Sequence, residues 1–287
     1  MLKGENVYTL LKKAEEILKL KGISEPKSDA EVLLSFVLQI KRSKLPIIRE
    51  QKPTVKHISQ YKKYIFRRSK REPVAYITGS VGFMDFEFKI SKNVLIPRSE
   101  TELLIEAALM LAAKEHKKSV LDLCTGSGCI AVSLAKLGNF KNVTASDISK
   151  GALDIAKLNA RTNAANINFI ESNIFNDIGD KKFDIVISNP PYISETEYNS
   201  LEPEIGYEPK IALTAKDDGL FFYKEIVSKS SHYLNNDGFI IVELNANKSD
   251  EIKQIFLDNL YIDVEIINDY AGLPRILKAK IDNQYLN

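Results

Sequence analysis

The sequence predicts an α/β protein: a doubly wound, mostly parallel seven-stranded sheet preceded by a small helical domain and a β-hairpin linker. Short apolar, β-branched runs alternate with amphipathic helical stretches from about residue 99 onward. Strands separated by helices of this length form parallel sheets. The first 72 residues show helical periodicity throughout. We therefore divide the chain into residues 1–72, 73–92 and 93–287.

The helical and hairpin elements follow from spacing and capping residues. Apolar residues at positions 10–18 recur at helical spacing, and Gly22 suits the end of that helix. Ser28 with Glu31 forms a capping box that predicts a second helix over residues 29–40. Residues 74–79 and 83–90 are predicted as the two strands of the hairpin, with glycines at 79 and 82 in its turn.

The α/β part begins with a second predicted capping box, Ser99 with Glu102, which opens a helix to about residue 113. Strands are then predicted at residues 120–123, 143–146, 167–170, 183–188 and 238–244, between helices at 129–137, 149–162, 219–234 and 249–260. Two strands near residues 262–267 and 276–281 follow a short connection, so we expect the last strand to be antiparallel.

Composition excludes several classes of protein. The 287 residues are 44% hydrophobic and 27% charged, as in ordinary globular chains. No apolar run approaches the roughly 20 residues that span a bilayer, and residues 1–20 lack the apolar core of a signal peptide. Cys124, Cys129 and three scattered histidines form no ligand-spaced group. We expect a cytoplasmic protein with neither a metal nor a membrane partner.

Charge is distributed unevenly along the chain. Residues 1–90 hold 19 Lys and Arg against 10 Asp and Glu, a balance of +9, which leaves −7 for the remainder of a chain whose total is +2. A third helix is predicted over about residues 54–71, with no acid in that range, and its polar face carries six basic residues: Lys62, Lys63, Arg67, Arg68, Lys70 and Arg71. This face is either a solvated helix surface, the commoner case, or a docking surface for an anionic partner.

A glycine-bearing turn follows the first strand of the sheet. Glycine lets a backbone approach a ligand closely, so Gly126 and Gly128 are candidate cofactor-binding residues. The dinucleotide fingerprint would need a third glycine near position 131, where this chain has Ala131. Asp122 favours a positively charged ligand over a phosphate. The methionine part of S-adenosylmethionine (SAM) carries such charges, an ammonium and a sulfonium.

Polar residues also follow the next two strands. Asp147, 21 residues beyond Gly126, could accept both ribose hydroxyls of a nucleoside cofactor, or it could cap the next helix. Asn173 could meet the adenine amino group, or it could serve only a turn. Found in order at successive strand ends, these residues favour a SAM site.

The stretch Asn189-Pro190-Pro191-Tyr192 forms a stiff elbow directly after a buried strand. The elbow either simply leaves the sheet or fixes an amide and an aromatic ring at the ligand-binding edge. In the second interpretation, the Asn189 side-chain carbonyl and the Pro190 backbone carbonyl accept both hydrogens of a planar –NH₂ and aim its nitrogen at the SAM methyl. Tyr192 stacks on the planar group, and catalysis is mainly positioning.

With these residues in place, the sequence resembles the HemK/PrmC family, methyltransferases that modify a glutamine side-chain nitrogen (N5) in peptide chain release factors. The resemblance covers most of the chain from about residue 71. It is carried by the segments EPVAYITG at 72–79, LIPRSETE at 95–102, LDLCTGSG at 121–128, NPPY at 189–192, YEP at 207–209 and DGL at 218–220. The NPPY motif is shared with adenine-N6 DNA methylases and guanine-N2 rRNA methylases, whereas IPRxxTE and YEP are more specific.

The resemblance implies a Rossmann-like SAM-dependent methyltransferase domain and an N-terminal domain that recognises the release factor. It implies that Asn189, Pro190 and Tyr192, with Pro191 between them, hold the glutamine of a Gly-Gly-Gln motif used in translation termination. Gly126 and Asp147 would bind SAM, with Pro97 and Arg98 near the cofactor. The expected product is S-adenosylhomocysteine. The expected partners are class I release factors, with no requirement for nucleic acid.

Some positions depart from the family pattern, among them the segment GLPR at 272–275, where the family more usually has Gly-x-Asp-Arg. The family usually has glycine at Cys124 and aspartate at Asn173, and it often has Glu-Ile-Gly-x-x-Gln where residues 243–248 read ELNANK, with Asn245 and Lys248. Two alternatives stay open, the first from the shared NPPY elbow and the basic helix, the second from these departures. One is an adenine-N6 or guanine-N2 nucleic-acid methyltransferase, and the other is a non-catalytic binding protein that has lost SAM.

Overall fold

The computed structural model describes residues 5–259 and 261–282, which form two compact units. Unit 1 contains the described residues up to Ser80 together with the segment Pro203–Tyr207, and unit 2 contains Val81–Glu202 and the described residues from Glu208 onward. In the described part of the chain, no helix has both the length and the apolar character to cross a membrane.

Unit 1 is helical, as predicted. Its helices are α1 (Val7–Leu20), α2 (Pro26–Leu38), α3 (Val55–Arg68) and α4 (Val74–Thr78), with a 3-10 turn at Arg42–Lys44. Leucines from α1 and α2 and Tyr61 from α3 form its buried core, and the Tyr61 hydroxyl donates to the carbonyl of Ala30 (3.0 Å). The apolar faces of the three long helices are buried together in this core.

Two local predictions in this unit are wrong. Helix α2 begins at Pro26 rather than after Ser28, because proline is pre-organised for the first helical position. Ser28 and Glu31 instead both bind Arg42. Residues 74–78 form helix α4 rather than a hairpin strand: Pro73 precedes its first turn and Gly79 ends it.

Carboxylates engage most of the basic face of α3. Arg68, whose side chain is only 7% exposed, binds Asp29 (2.7 Å) and Glu204 (2.9 Å). Glu204, from the Pro203–Tyr207 segment of the same unit, also binds Arg71 (2.7 Å). Arg67 binds Glu72, and Lys62 binds Glu5. Lys63 and Lys70 are exposed. Much of the face therefore has an internal structural role, which weakens its interpretation as a docking surface.

The hairpin lies later in the chain than predicted. Its strands are β1 (Ser80–Phe83) and β2 (Phe86–Lys89), and the turn is at Met84 and Asp85. Glu102 accepts a hydrogen bond from the Met84 amide (2.8 Å). Glu102 is therefore used by the hairpin, and Ser99 makes no capping hydrogen bond to α5 (Glu100–Lys114). The helix was predicted correctly and its cap was not.

Unit 2 contains the predicted seven-stranded sheet, in the order β5-β4-β3-β6-β7-β9-β8. The strands are β3 (Ser119–Leu123), β4 (Asn142–Asp147), β5 (Asn168–Glu171), β6 (Phe183–Ser188), β7 (Leu234–Glu243), β8 (Tyr261–Asn268) and β9 (Pro274–Ile281). Strand β9 is antiparallel to both of its neighbours, as expected for the last strand.

Helices connect these strands. After α5 come α6 (Cys129–Leu137), α7 (Lys150–Thr162), α8 (Glu195–Tyr198), α9 (Phe221–Tyr233) and α10 (Ser249–Leu257), with 3-10 turns at Ile205–Tyr207, Lys210–Ala212, Asp217–Gly219 and Ala246–Lys248. Strand β3 pairs with β4 on one side and β6 on the other, so the strand order reverses at β3. Open α/β sheets bind ligands at the carboxyl edge of such a reversal.

One carboxylate fastens the opposite, amino-terminal edge of this sheet. Asp184, in β6, accepts hydrogen bonds from the amides of Lys118 and Ser119 (2.8 and 2.9 Å), from the Ser119 hydroxyl, and from Asn235 (2.8 Å). Burial acts to raise the pKa of Asp184, but these donors outweigh it and the pKa is lowered. The ionised carboxylate therefore stabilises the folded state.

We predict that Asp184→Asn lowers the free energy of unfolding at pH 7 by about 1–2 kcal/mol, because the half-buried donors lose a charged acceptor. Urea denaturation measures this difference. The folded pKa lies below the ordinary value, so the stabilisation is complete above about pH 4 and is lost as the pH falls through the folded pKa. Asp180→Asn, at an exposed position, is the matched control. Equal stability of the two variants at pH 7 would contradict this role.

Candidate active site

A cleft opens in unit 2, lined by residues that follow β3, β4, β5 and β6. It encloses about 780 Å³ of empty space, part of it open to solvent, within the range of small-molecule sites. Its walls are largely apolar, with a few polar groups. The lining residues most relevant to a ligand are Cys124, Gly126, Asp147, Asn173 and Asn189 among the polar and turn positions, and Leu95, Ile148, Ile174 and Phe222 among the apolar ones.

The glycine turn after β3 places its two glycines differently. Gly126 lines the cleft, as predicted for a cofactor-binding residue. Gly128 is not among the lining residues. It starts α6 at φ +79° and packs on α7, where an added Cβ would lie 3.0 Å from the Cβ of Ala156. Close helix packing therefore requires Gly128, and its cofactor role stays a prediction.

Asp147 connects two of the loops at the cleft. One carboxylate oxygen accepts from the amide of Gly126 (2.9 Å) and the other from the amide of Ser149 (2.8 Å). Burial raises its pKa, and these amides act against that rise. Ser149, not Asp147, caps helix α7. Each carboxylate oxygen keeps a second lone pair, so Asp147 can still accept from ligand hydroxyls.

Asp122 is fully buried and is not among the lining residues of the cleft. Its Oδ2 accepts from the Thr125 hydroxyl (2.6 Å), and its Oδ1 has no hydrogen-bond partner among the described residues. Burial raises the pKa of Asp122 to about 7. A buried acceptor without a hydrogen-bond partner is costly, but this oxygen is enclosed away from the cleft, so the cofactor-binding role of Asp122 stays a prediction.

The elbow at residues 189–192 is supported from both sides. The chain beyond it pairs with residues 213–215, through the Ile193 amide to the Leu213 carbonyl and the Ala215 amide to the Ile193 carbonyl (2.9 Å each). Gly219 packs directly against the elbow: a Cβ added there would lie 2.4 Å from the Tyr192 carbonyl oxygen. Gly219 also has φ +88°. The DGL segment therefore supplies the backbone space that the elbow needs.

A buried hydrogen-bond network holds the two functional side chains of the elbow. Asn189 Nδ2 donates to the Thr101 hydroxyl oxygen (3.2 Å), and that hydroxyl donates to Glu243 Oε2 (2.7 Å). The Tyr192 hydroxyl donates to Glu243 Oε1 (3.1 Å). Thr101 is 2% exposed and Glu243 is 1% exposed. Burial raises the pKa of Glu243, opposed by these two hydroxyls.

Tyr192 lies at a second groove. Together with Glu197, Leu244, Asn245 and Arg275 it lines this groove, which does not share its lining residues with the cleft. Its hydroxyl is committed to Glu243, and burial raises its pKa, so Tyr192 stays a protonated donor. The predicted stacking of this ring on a substrate amide stays a prediction.

The structure brings some of the predicted site residues to the cleft and places others elsewhere. Gly126, Asp147, Asn173, Asn189 and Pro191 line it. Pro97, Arg98 and Pro190 are not among its lining residues. The Arg98 guanidinium pairs with Glu208, which also accepts from the Ile96 amide (3.0 Å).

Sequence reasoning missed Thr101 and Glu243 as site residues. Thr101 lies in the IPRxxTE motif, which carried the family resemblance, and Glu243 begins the segment at 243–248, which departs from the family pattern. Neither residue was assigned a role from the sequence. A carboxylate at the end of a buried strand was the available signal, since such a group needs donors.

Comparisons with known proteins agree with this architecture. Residues 99–204 match the family model described as Methyltransferase small domain, and residues 9–79 match PrmC N-terminal domain. A methyltransferase structure from Pyrococcus furiosus has a TM-score of 0.52 at 16% identity, with 77% of this chain and 98% of that chain covered. At that identity the likeness shows the fold alone.

Two curated relatives are more similar in sequence. Both are named release factor glutamine methyltransferase. The protein from Fusobacterium nucleatum is 38% identical over 283 residues, 97% of this chain and 79% of its own length. The protein from Geobacter sulfurreducens is 36% identical over 262 residues, 91% of this chain and 92% of its own length.

The sheet order and the cleft at its reversal define a Rossmann-like methyltransferase. The curated relatives narrow this class, because their identity extends over nearly the whole chain. The chain belongs to the release factor glutamine methyltransferase family. The resemblance inferred from the sequence motifs is confirmed.

We predict that Gly219→Ala displaces the elbow, because the new methyl group would overlap the Tyr192 carbonyl and the residue would keep an unfavourable positive φ. The expected result is a large loss of methyl transfer together with a lower melting temperature. Gly82→Ala is the control, since nothing lies within 4 Å of a Cβ there. If both variants kept wild-type activity and stability, the close packing at Gly219 would not matter.

Proposed function

We propose that this chain uses SAM to methylate the side-chain amide nitrogen N5 of the glutamine in the Gly-Gly-Gln motif of class I peptide chain release factors. Its membership of the family supports the reaction. The single structural observation that carries the proposal is the Asn189 amide, which lines the cleft and whose –NH₂ group is held by Thr101.

The cleft residues fit SAM as the cofactor. Asp147 offers carboxylate lone pairs for ribose hydroxyls, and Ile148, Ile174 and Phe222 offer apolar surface for an adenine ring. SAM, when bound, supplies a methyl group on a sulfonium, which is the electrophile of the reaction. S-adenosylhomocysteine is then the product.

The chain's own part in the reaction is to orient the substrate amide. An amide nitrogen is a weak nucleophile, because its lone pair is delocalised. The Asn189 side-chain carbonyl, at the cleft, accepts one of its N–H groups. The Pro190 backbone carbonyl, which is not among the lining residues, is the acceptor that the family resemblance implies for the other, and the two together fix the direction in which the nitrogen faces. As the nitrogen gains the methyl group it is positively charged until it loses one proton to solvent water, and the same acceptors stabilise its N–H groups in that state.

The partner in this proposal is a release factor, recognised in part by the helical unit 1. The match of residues 9–79 to the PrmC N-terminal domain supports that assignment. The two free cysteines, Cys124 and Cys129, are consistent with work in the reducing cytoplasm. The reaction in this scheme needs neither a metal ion nor a nucleic acid.

Methyl-labelled SAM, incubated with the protein and a purified class I release factor, tests the proposal. Mass spectrometry of the Gly-Gly-Gln peptide is expected to show one added methyl group on glutamine. Unmodified glutamine under conditions where SAM binds would reject it. Label retained in DNA or rRNA, with none in protein, would instead favour nucleic-acid methylation.

We predict that Asn189→Ala lowers methyl transfer at least about 100-fold, because the substrate amide loses an orienting acceptor. SAM binding, measured by calorimetry, is expected to stay close to that of the wild type. Asn176→Ala, at an exposed position beyond β5, is the matched control and should transfer normally. Substantial transfer by Asn189→Ala would remove Asn189 from this role.

A further inference from the structure

We propose that Glu243 and Thr101 are positioning residues that determine which end of the Asn189 amide faces the substrate. This inference rests on the proposed function and assigns a role to two residues outside the NPPY motif. Their buried contacts carry it: Asn189 to Thr101 at 3.2 Å and Thr101 to Glu243 at 2.7 Å.

Glu243 determines which groups of this network donate and which accept. Its two oxygens face two hydroxyls, from Thr101 and Tyr192. An ionised carboxylate can only accept, so both hydroxyls must donate to it. A buried carboxylate is retained only where such donors compensate for lost hydration. The single hydroxyl proton of Thr101 is therefore used in the hydrogen bond that Thr101 donates to Glu243.

The hydrogen bond from Thr101 to Glu243 also determines which group of the Asn189 amide can face Thr101. With its proton committed to Glu243, the Thr101 oxygen offers only lone pairs to its other neighbour. The end of the Asn189 amide that faces Thr101 must therefore be the donor, Nδ2. Either orientation of an asparagine amide has nearly the same shape, so this hydrogen-bond requirement decides between them.

The opposite end of the amide is then an acceptor. No donor among the described residues lies within hydrogen-bond distance of Asn189 Oδ1, and this atom is not among the buried unpartnered oxygens. The oxygen is available to accept from a substrate –NH₂. A flipped amide would set its own N–H donors against those of the substrate, which is a repulsive arrangement.

The same carboxylate also holds the other end of the elbow. Tyr192 donates to Glu243 Oε1 (3.1 Å), while Asn189 is connected to Oε2 through Thr101. One buried anion thus fixes the first and last side chains of the motif. The network also sets specificity, because it selects a substrate that donates, a primary amide, over a carboxylate of the same shape.

The test compares Thr101→Val, which keeps the shape and removes the hydroxyl, with Thr101→Ser, which keeps the hydroxyl. Thr162→Val, at an exposed position on α7, is the control. We expect Thr101→Val to lower kcat about 10- to 100-fold, with the Kd for SAM near that of the wild type. Thr101→Ser should restore most of the lost rate, which a purely structural need for the threonine methyl would not allow.

A second readout measures amide orientation more directly. A release factor with Glu in place of the Gln of its Gly-Gly-Gln motif has no amide nitrogen to methylate, so it serves as a competitive inhibitor whose inhibition constant is measured. Its carboxylate only accepts hydrogen bonds. The wild type should bind this variant poorly relative to the natural protein. Thr101→Val and Glu243→Gln free the Asn189 amide to flip, so we expect the preference for glutamine to fall about tenfold.

Three outcomes would overturn the inference alone while the wild type methylates normally. These are full transfer by Thr101→Val, a Thr101→Ser variant as impaired as Thr101→Val, and an unchanged glutamine preference in both Thr101→Val and Glu243→Gln. Loss of SAM binding in Thr101→Val would also overturn it, since the residue would then support the cofactor site. A wild-type protein that binds SAM and transfers no methyl group would overturn the proposed function first, and this inference with it.

Discussion

The parallel pairing of β3 with β4 and with β6 is the constraint on which the candidate site depends. Parallel strands present their carboxyl ends at one edge, so residues far apart in sequence must meet there. The turn with Gly126, the carboxylate of Asp147 and the elbow at residues 189–192 all follow strands of this set. The opposite edge has a structural role: Asp184, in β6, accepts hydrogen bonds from residues at the amino ends of its neighbours β3 and β7.

Most of the architecture could be predicted because it depends on the period of the hydrophobic pattern and on the length of each apolar stretch. Helix α6 and strand β6 were predicted with the bounds that the structure shows, since a continuous apolar strand and an apolar-faced helix leave few alternatives. The antiparallel last strand followed from the short connection before it. These features depend on the chain's local pattern, and tertiary contacts did not override them.

The two errors in helix capping have a common cause, which is competition for a side chain. Ser28 and Ser99 have the sequence pattern of capping residues. Arg42 engages Ser28, and the partner glutamate of Ser99, Glu102, is used by the hairpin. The strand predicted at residues 74–79 failed because a proline and a glycine bracket a single helical turn. A pattern of six residues is too short to choose between strand and helix.

For the site, the sequence identified the residues that follow strands, but it could not identify the contacts between distant segments. Thr101 and Glu243 are 142 residues apart and 2.7 Å from one another. Nor could the sequence show that Gly128 serves helix packing while Gly126 borders the cleft. Both distinctions depend on which atoms are neighbours, and that information exists only once the sheet has formed.

The segment Pro203–Tyr207 has a consequence for how this protein can be taken apart. It belongs to the helical unit although the chain on both sides of it belongs to the sheet unit, and Glu204 is the shared counter-ion of Arg68 and Arg71. A chain cut after residue 80 would therefore deprive Glu204 of both guanidinium partners and leave Arg68 with a single carboxylate. The two units are therefore not consecutive segments of the chain, because unit 1 includes residues that follow most of unit 2 in sequence. Unit 1 is complete only when Pro203–Tyr207 is present.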